Sequence, residues 1–471
     1  MLRPWSILLK ISQDGRKALY IRIADSIIEA IKSGTLKSGE ALPGSRQMAE
    51  MLKVNRNTIV KVYDILLVEG WLISEQRKGT FVSDRFRLLP SPRRKPSVDN
   101  EINEKNKSIR CILFDSGNPA PAIIPIDEIA KAYRSTFSQR AKRNIFEFGD
   151  EQGNLKFRNA VSQMLNFNKG MSTSVDEICI TRGSQMAFFL TAHCLMNVGD
   201  LVLVENPGYR PAWDAFKHAG AKLIPIRVDR EGIDVTAIKV ILKTTQVKAI
   251  YLTPHHQYPT TVTLALNRRL ELIELSNLYG FTIIEDDYDS DFYFGQRPKT
   301  PICSHKELKN FVYVSTFSKL ISPSIRIGYL YSNADFVNKV VELRKIIDVQ
   351  GDVVMEQSVL ELINSGGVRR HRKRAINYYQ NKRDVFLRLL DKYLKGKATY
   401  YIPDGGLAVW LSFPSNVDLF KIHKMTLSKG LNFYTPERFS FDEPINGMRI
   451  GYASLSELDM ERGLQILSKY V

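Results

Sequence analysis

Phe311-Val-Tyr-Val-Ser-Thr-Phe-Ser-Lys319-Leu-Ile-Ser-Pro-Ser-Ile-Arg326-Ile-Gly-Tyr-Leu330 is the stretch on which the reading of this chain turns. An apolar run, Phe311 to Val314, feeds a polar loop that holds one lysine. An arginine follows seven residues later, and a second apolar run begins. Two buried strands therefore bracket a lysine set at a strand end, whereas most lysines sit on solvated faces. Small hydroxyls at Ser315, Thr316 and Ser318 flank it. A lysine amine can condense with an aldehyde, and an arginine beside hydroxyls can hold a phosphate. The aldehyde that needs both is pyridoxal 5'-phosphate (PLP).

Around this stretch, from Ile112 onward, buried strands alternate with amphipathic helices, which predicts an α/β domain with a mainly parallel sheet. Strands are expected at 177–181, 201–205, 222–226, 249–253, 281–285, 312–315 and 327–331. A smaller α+β portion is expected from about Gly351, with strands at 407–412 and 448–452 facing the main sheet.

Three further motifs ride on this frame. Thr181-Arg-Gly183-Ser184-Gln185 carries a strand end into a helix start, whose free N–H groups and partial positive charge suit an anion; a plain strand-to-helix turn reads the same way. Glu205-Asn-Pro-Gly-Tyr209 leaves the sheet with a tyrosine that could stack on a flat ring or pack in the core. Ile283-Ile-Glu-Asp286-Asp287-Tyr288-Asp289-Ser-Asp crowds acids at the carboxyl end of a buried strand, where ligands bind in open α/β sheets. A metal is the rival occupant, but no histidines stand at suitable spacing. A carboxylate there can keep a pyridine nitrogen protonated, and Tyr288 could bond the ring's phenolate oxygen. Lys319 would then form the Schiff base, while Arg326, Thr316 and Ser318 bind phosphate.

The first quarter of the chain differs in charge. Of a formal net charge of +17, residues 1–112 carry +9, from 21 Lys+Arg against 12 Asp+Glu. That favours a polyanionic partner for this segment. An amphipathic helix is predicted over 19–33, with Ile23, Ile27, Ala30 and Ile31 on one face and Gly34 ending it. Ser45 is the expected N-cap of a short helix over 46–52. After a tight turn at Lys53-Val54, Asn55 caps a helix over 56–68. Two short strands around the basic tip Gln76-Arg-Lys-Gly79 follow, completing a winged helix. Residues 84–110, rich in Pro, Arg, Lys, Asn and Ser, read as a flexible tether. Its run Arg93-Arg94-Lys95 is either a DNA-proximal patch or solvated linker.

The string LPGSRQMAEMLKVNRNTIVKVYDILLVEGWLISEQRKGTFV closely resembles the DNA-binding domain of the GntR family of bacterial repressors and activators. The resemblance implies that Ser45, Arg46, Arg56, Asn57, Thr58 and Lys61 contact operator DNA, with Lys78 and Gly79 of the wing near the backbone or minor groove. From about residue 113 to 471 the order and spacing of the motifs resemble a fold-type I aminotransferase. The strings TPHHQYPT, IIEDDYDSDF and STFSKLISPSIRIGY resemble the MocR/GabR family, in which the two domains are fused. By that resemblance Lys319 is the aldimine lysine, Asp286 pairs the pyridine nitrogen, Tyr288 bonds the phenolate and Tyr209 stacks on the ring. Gly183, Ser184, Gln185, Thr316, Ser318 and Arg326 complete the PLP site, and Arg449 receives an amino-acid carboxylate, with His256 also expected at the effector site. Three positions depart from the enzymes. Tyr258 stands where they commonly carry an asparagine, with His256 or Gln257 expected to contribute instead. Thr261 replaces a glycine, and Phe148 replaces a tyrosine that reaches across the dimer.

The domains are accordingly expected at 1–83 (winged helix), 84–111 (linker) and 112–471 (effector domain). The family implies a head-to-tail homodimer that binds operator DNA and senses PLP, an amine or an amino acid. At most residual half-reaction activity is expected; an active aminotransferase with an autoregulatory DNA-binding domain is the alternative, and a regulator that has lost PLP a third. No 18-residue apolar run and no small-residue cleavage site occur, and Cys111, Cys179, Cys194 and Cys303 lack metal spacing. These point to a cytoplasmic protein whose cysteines are buried small hydrophobes. The basic run Val368-Arg-Arg-His-Arg-Lys-Arg374 is read as a solvated helix face, with a second DNA contact as the sharper alternative.

Overall fold

Isoleucines at 23, 27 and 31 recur every fourth residue, and all three are buried on one face of the helix Leu19–Lys32. The computed structural model that shows this describes residues 11, 17–75, 79–84, 111–137, 148–295, 299–443 and 445–471. Lys78, Arg93, Arg94, Lys95 and most of the predicted linker lie outside the described residues. The chain divides into two compact units, Met1–Lys105 and Asn106–Val471.

In the first unit the second helix is Ser45–Leu52. It starts one residue earlier than predicted: extended Gly44 is the N-cap, its carbonyl accepting from Met48 N at 2.9 Å. Lys53 takes a left-handed conformation (φ +52°) to turn the chain. Asn55 then caps the helix Arg56–Val68, its side chain accepting from Asn57 N. Strands Leu72–Glu75 and Gly79–Val82 pair antiparallel as the wing. The connector before Ser45 adds to this ribbon, with Leu42 N donating to Thr80 O and Val82 N to Glu40 O.

The large sheet of the second unit runs, in spatial order, Ile178–Thr181, Gly328–Tyr331, Phe311–Thr316, Thr282–Asp287, Ala249–Leu252, Leu201–Asn206, Lys222–Asp229 and Gly232–Ile233. The run from Phe311–Thr316 to Lys222–Asp229 is parallel. Gly328–Tyr331 is antiparallel to both neighbours, so the sheet is mixed but mainly parallel. Fully buried strands such as Ile178–Thr181 and Ala249–Leu252 have covered faces on both sides, as parallel sheets require.

The smaller portion holds a three-stranded antiparallel sheet of Thr399–Tyr400, Ala408–Ser412 and Gly447–Gly451. It also draws in the start of the unit: Ile112–Phe114 pairs parallel with Leu431–Phe433. The C-terminal portion thus does not begin only at 351. The basic run lies in the first turns of the helix Gly367–Leu394. Much of it is engaged within the unit: Arg372 pairs with Asp291, Arg374 with Glu128, and Arg370 donates to Ser365 O. All four cysteines are free, but only Cys179 and Cys303 are buried, and Cys111 is exposed. Among the described residues no helix is long and apolar enough to cross a membrane.

Candidate functional site

Most of the predicted PLP-site residues meet at the carboxyl ends of the parallel strands; Gly183, Gln185 and Arg449 do not line the cavity they form. Strand Phe311–Thr316 ends at Thr316, which caps the short helix Phe317–Leu320 by accepting from Ser318 N. That turn projects Lys319 towards the loop after Ile112–Phe114. Its Nζ donates to Gly117 O at 2.8 Å and to Asn118 Oδ1 at 3.4 Å. The loop is itself fixed by Asp115, whose Oδ1 accepts from the backbone N–H of both Gly117 and Asn118. Burial lowers the lysine's pKa; nearby Arg449 adds to this, against Asp289 and Asp115. The neutral amine that an aldehyde requires is therefore favoured.

Lys319, Asp286, Tyr288, Tyr209, Ser184, Thr316, Ser318 and Arg326 line one cavity of about 290 Å³. At one end the helix Ser184–Leu195 presents its N-terminus. Arg326, itself left-handed (φ +50°), reaches over to it and donates to Arg182 O. The approach depends on two glycines. A Cβ on Gly183 would lie 2.9 Å from an Arg326 nitrogen, and one on Gly328 2.7 Å from the Gly183 backbone. Gly328→Ala is expected to push the helix start away from Arg326 and weaken PLP binding at least about tenfold, because the backbone atoms of Gly183 and Ser315 that a Cβ would meet cannot yield as a side chain would. Equilibrium dialysis of PLP checks this.

Asp286 also lines the cavity. Its Oδ2 accepts from Tyr251 OH at 2.8 Å, while Oδ1 is buried without a hydrogen-bond partner among the described residues. Burial pushes its pKa up to about 8, with Asp287, Asp289 and Glu205 adding to the rise against the Tyr251 bond. An orphaned acceptor at this depth is a seat for a cationic N–H donor. The crowded acids around it are individually committed. Glu285 accepts from the N–H groups of Ile302 and Cys303, Asp287 pairs with Lys169, and Asp289 with His256. Strand alternation explains the split between Asp286 and Asp287. Among the described residues no group of three or more potential ligands could hold a metal.

Tyr209 and Tyr258 meet edge to face at 5.1 Å on the cavity wall. Tyr288 OH donates to His256 O at 2.8 Å and receives Arg449 Nη2 at 3.3 Å. Arg449 is buried and also donates to Ser116 O and Pro259 O. The His256 imidazole lines a separate cavity. There it pairs with Asp289 at 2.7 Å, and only its carbonyl reaches Tyr288. The Gln185 side chain turns aside to Pro211 O. Gln257 is spent on the loop itself, donating to Pro207 O and accepting from Thr260. Thr261 sits at φ +65°, a conformation that glycine adopts without strain. Phe148 is 86% exposed and does not line the cavity. Tyr251, Gly117, Asn118 and Arg438 were not singled out from the sequence. Apart from the Gly117-Asn118-Pro119 turn signal, none carries a local mark.

In the first unit Arg46, Arg56, Asn57 and Lys61 are exposed, with Thr58 and Ser45 half-buried. Asn55 capping turns the first residues of Arg56–Val68 outward. Among the described residues no acid lies within ion-pair distance of Arg46, Arg56 or Lys61, which leaves them available to phosphate. Gly79 is exposed at φ +122° where the wing strand resumes.

Helix N-terminus, arginine, lysine, orphaned carboxylate and aromatic wall together fit PLP. Phosphate would lie between the helix start and Arg326, and the ring nitrogen at Asp286. Residues 109–467 match the model of aminotransferase class I and II, and residues 19–82 that of the gntR family of bacterial regulatory proteins. The probable rhizopine catabolism regulatory protein MocR of Rhizobium meliloti is 25% identical over 98% of this chain and 95% of its own. The multiple substrate aminotransferase of Thermococcus profundus superposes with a TM-score of 0.73 at 26% identity, over 78% of this chain and 92% of that one. LysN, an α-aminoadipate aminotransferase of Thermus thermophilus solved with N-(5'-phosphopyridoxyl)-L-leucine, gives a TM-score of 0.71 at 25% identity, over 77% and 92%. With a PLP-type cavity in one unit and a winged helix in the other, the chain belongs to the class I and II aminotransferase family, in the gntR-fused form of the MocR-type transcriptional regulators.

Proposed function

We propose that the effector domain senses PLP or an amino compound at Lys319 and transmits its occupancy to the winged helix. The observation that carries this is the convergence of Lys319, Asp286, Arg326 and Tyr209 on one cavity in a chain that also bears a recognition helix. PLP supplies an aldehyde that a lysine amine can hold covalently. In this chain Lys319 provides the amine, Asp286 the counter-charge for the ring nitrogen, Tyr288 a bond to the phenolate and Tyr209 the stacking face. Ser184, Thr316, Ser318 and Arg326 seat the phosphate, with Gly183 and Gln185 contributing backbone at the helix start. Arg449 takes an effector carboxylate. The winged helix (1–83) joins the sensor (112–471) through a tether at 84–111, with Arg46, Arg56, Asn57, Thr58 and Lys61 on operator DNA.

The functional unit in this reading is a head-to-tail homodimer. An apolar surface supports it: Ile126, Phe148, Leu155 and Ile346 are each more than half exposed. The helices that carry Ile126 and Leu155, Ile126–Thr136 and Leu155–Lys169, both pack on Val353–Asn364. An effector that binds two arrangements of the dimer unequally would shift DNA affinity.

The test is fluorescence anisotropy on an affinity-selected operator fragment, with and without PLP and then with a panel of amines and amino acids. A ligand-dependent change in operator affinity that is lost in Lys319→Ala is expected. Unchanged affinity with every ligand, alongside steady multiple-turnover transamination, would replace this reading by that of an enzyme. In the same assay Arg56→Ala is expected to cost about 1–3 kcal/mol of operator affinity without altering PLP binding.

A further inference from the structure

We infer that Arg438 is a specificity-determining residue of the Lys319 cavity and that the effector is an amino compound carrying two acidic groups. This rests on the proposed reading of the cavity as a PLP site and names the ligand class that such a site would take.

Arg438 closes the short turn Pro436–Arg438 and lines the cavity together with Lys319, Tyr209, Tyr258 and Arg326. Its loop is fastened to the segment that carries Tyr209. Gly208 N donates to Phe439 O at 2.8 Å, Arg210 Nη1 to Glu437 O at 3.0 Å, and Phe441 N to Asn206 Oδ1 at 3.1 Å. The guanidinium lies 4.0 Å from the centre of the Tyr434 ring. Stacking occupies its face and leaves the in-plane N–H donors for a ligand. No acid pairs with it among the described residues. The neighbouring Glu437 carboxylate accepts from Thr435 Oγ1 instead.

The charges on the wall show why this arginine matters. Lys319, Arg326 and Arg438 face a single acid, Asp286. With PLP bound, its phosphate answers Arg326, its ring nitrogen answers Asp286, and Lys319 is engaged by the aldehyde. Arg438 alone is left without a counter-charge. Arg449, which the proposed reading assigns to the effector's first carboxylate, comes from a different element, the strand Gly447–Gly451; it does not line the cavity but stands buried behind Tyr288, bonded to Ser116 O, Pro259 O and Tyr288 OH. Two arginines at different depths suit two acidic groups on one ligand. A ligand whose one carboxylate goes to Arg449 would leave Arg438 unanswered in a confined site.

The probes are two isosteric pairs, L-glutamate with L-glutamine and L-aspartate with L-asparagine. Each is titrated into the full-length PLP-loaded protein and followed by the visible spectrum of the bound cofactor. In at least one pair the diacid is expected to bind at least about tenfold more tightly than its amide. Arg438→Gln should erase that preference by weakening the diacid while leaving the amide within about twofold, and Arg438→Lys should restore part of it. PLP content and thermal midpoint, measured on each variant, are expected to match the parent. Equal binding of diacid and amide, no response to any of the four, or an equal loss of both in Arg438→Gln would overturn the inference. Failure of the parent protein to bind PLP would instead sink the cofactor reading on which it rests.

Discussion

Lys319→Ala is expected to lose PLP on dialysis under conditions where the parent chain retains it. The phosphate cradle at Ser184 and Arg326, the Asp286 seat and the Tyr209 wall remain in the variant, so reversible binding persists. What disappears is the covalent hold that only the amine provides. The structure aims that amine inward, on Gly117 O and Asn118 Oδ1, and burial lowers its pKa. Covalent capture needs the neutral amine, so a depressed pKa moves the onset of capture to lower pH than for a solvated lysine. Lys319→Arg is the matching control, since it keeps the charge but cannot condense. Both variants should show at least about a tenfold weaker apparent PLP affinity, with no effector-dependent change in operator binding. Absorbance retained after dialysis, alongside DNA anisotropy, measures both. Parent-like retention by Lys319→Ala would remove the lysine from the site.

The ease of reading Lys319 from sequence has a physical basis, and so does the difficulty of reading Arg438. Lys319 and Arg326 lie on one continuous strand–turn–strand segment, so local apolar runs bracket them and their spacing is the message. Asp286 was legible only as one of several acids at a strand end, and the family resemblance singled it out; in the structure, alternation along the buried strand sends it and Asp287 to opposite faces. Arg438 sits on a loop held by Gly208, Arg210 and Asn206, more than 200 residues earlier, and no local pattern encodes such contacts. The pairing of Ile112–Phe114 with Leu431–Phe433 was hidden for the same reason. At Ser45 the residue type suggested a cap, but the extended conformation of Gly44 put the boundary one residue earlier. His256 shows a different limit: sequence placed it near the cavity, and its pairing with Asp289 turned the ring to the other side.

Asp286→Asn is expected to act with opposite signs on the cofactor-free and PLP-bound protein. In the cofactor-free protein, burial and then the acids Asp287, Asp289 and Glu205 outweigh the Tyr251 bond and raise its pKa to about 8. In the unfolded chain an aspartate titrates near 3.9. Between about pH 4 and pH 8 the folded state therefore holds one proton more than the unfolded state. Stability must fall as pH rises through that window, and the full penalty is reached above it. Asparagine has no ionised form, so the variant escapes this penalty. It should be more stable than the parent at pH 8.5 by a few kcal/mol, with the gap narrowing towards pH 5. With PLP bound the balance reverses. The ring nitrogen can carry the proton and give Asp286 its counter-charge, whereas an amide accepts a hydrogen bond but offers no charge. PLP affinity should drop at least about tenfold in the variant. Denaturant midpoints at pH 5 and pH 8.5, each with and without PLP, separate the two effects. A buried acid that meets no ligand would show the gain at pH 8.5 equally with and without PLP. A gain without PLP and a loss with it is the signature of a carboxylate held in an unfavourable state for a ligand, and the orphaned Oδ1 is where that ligand would be met.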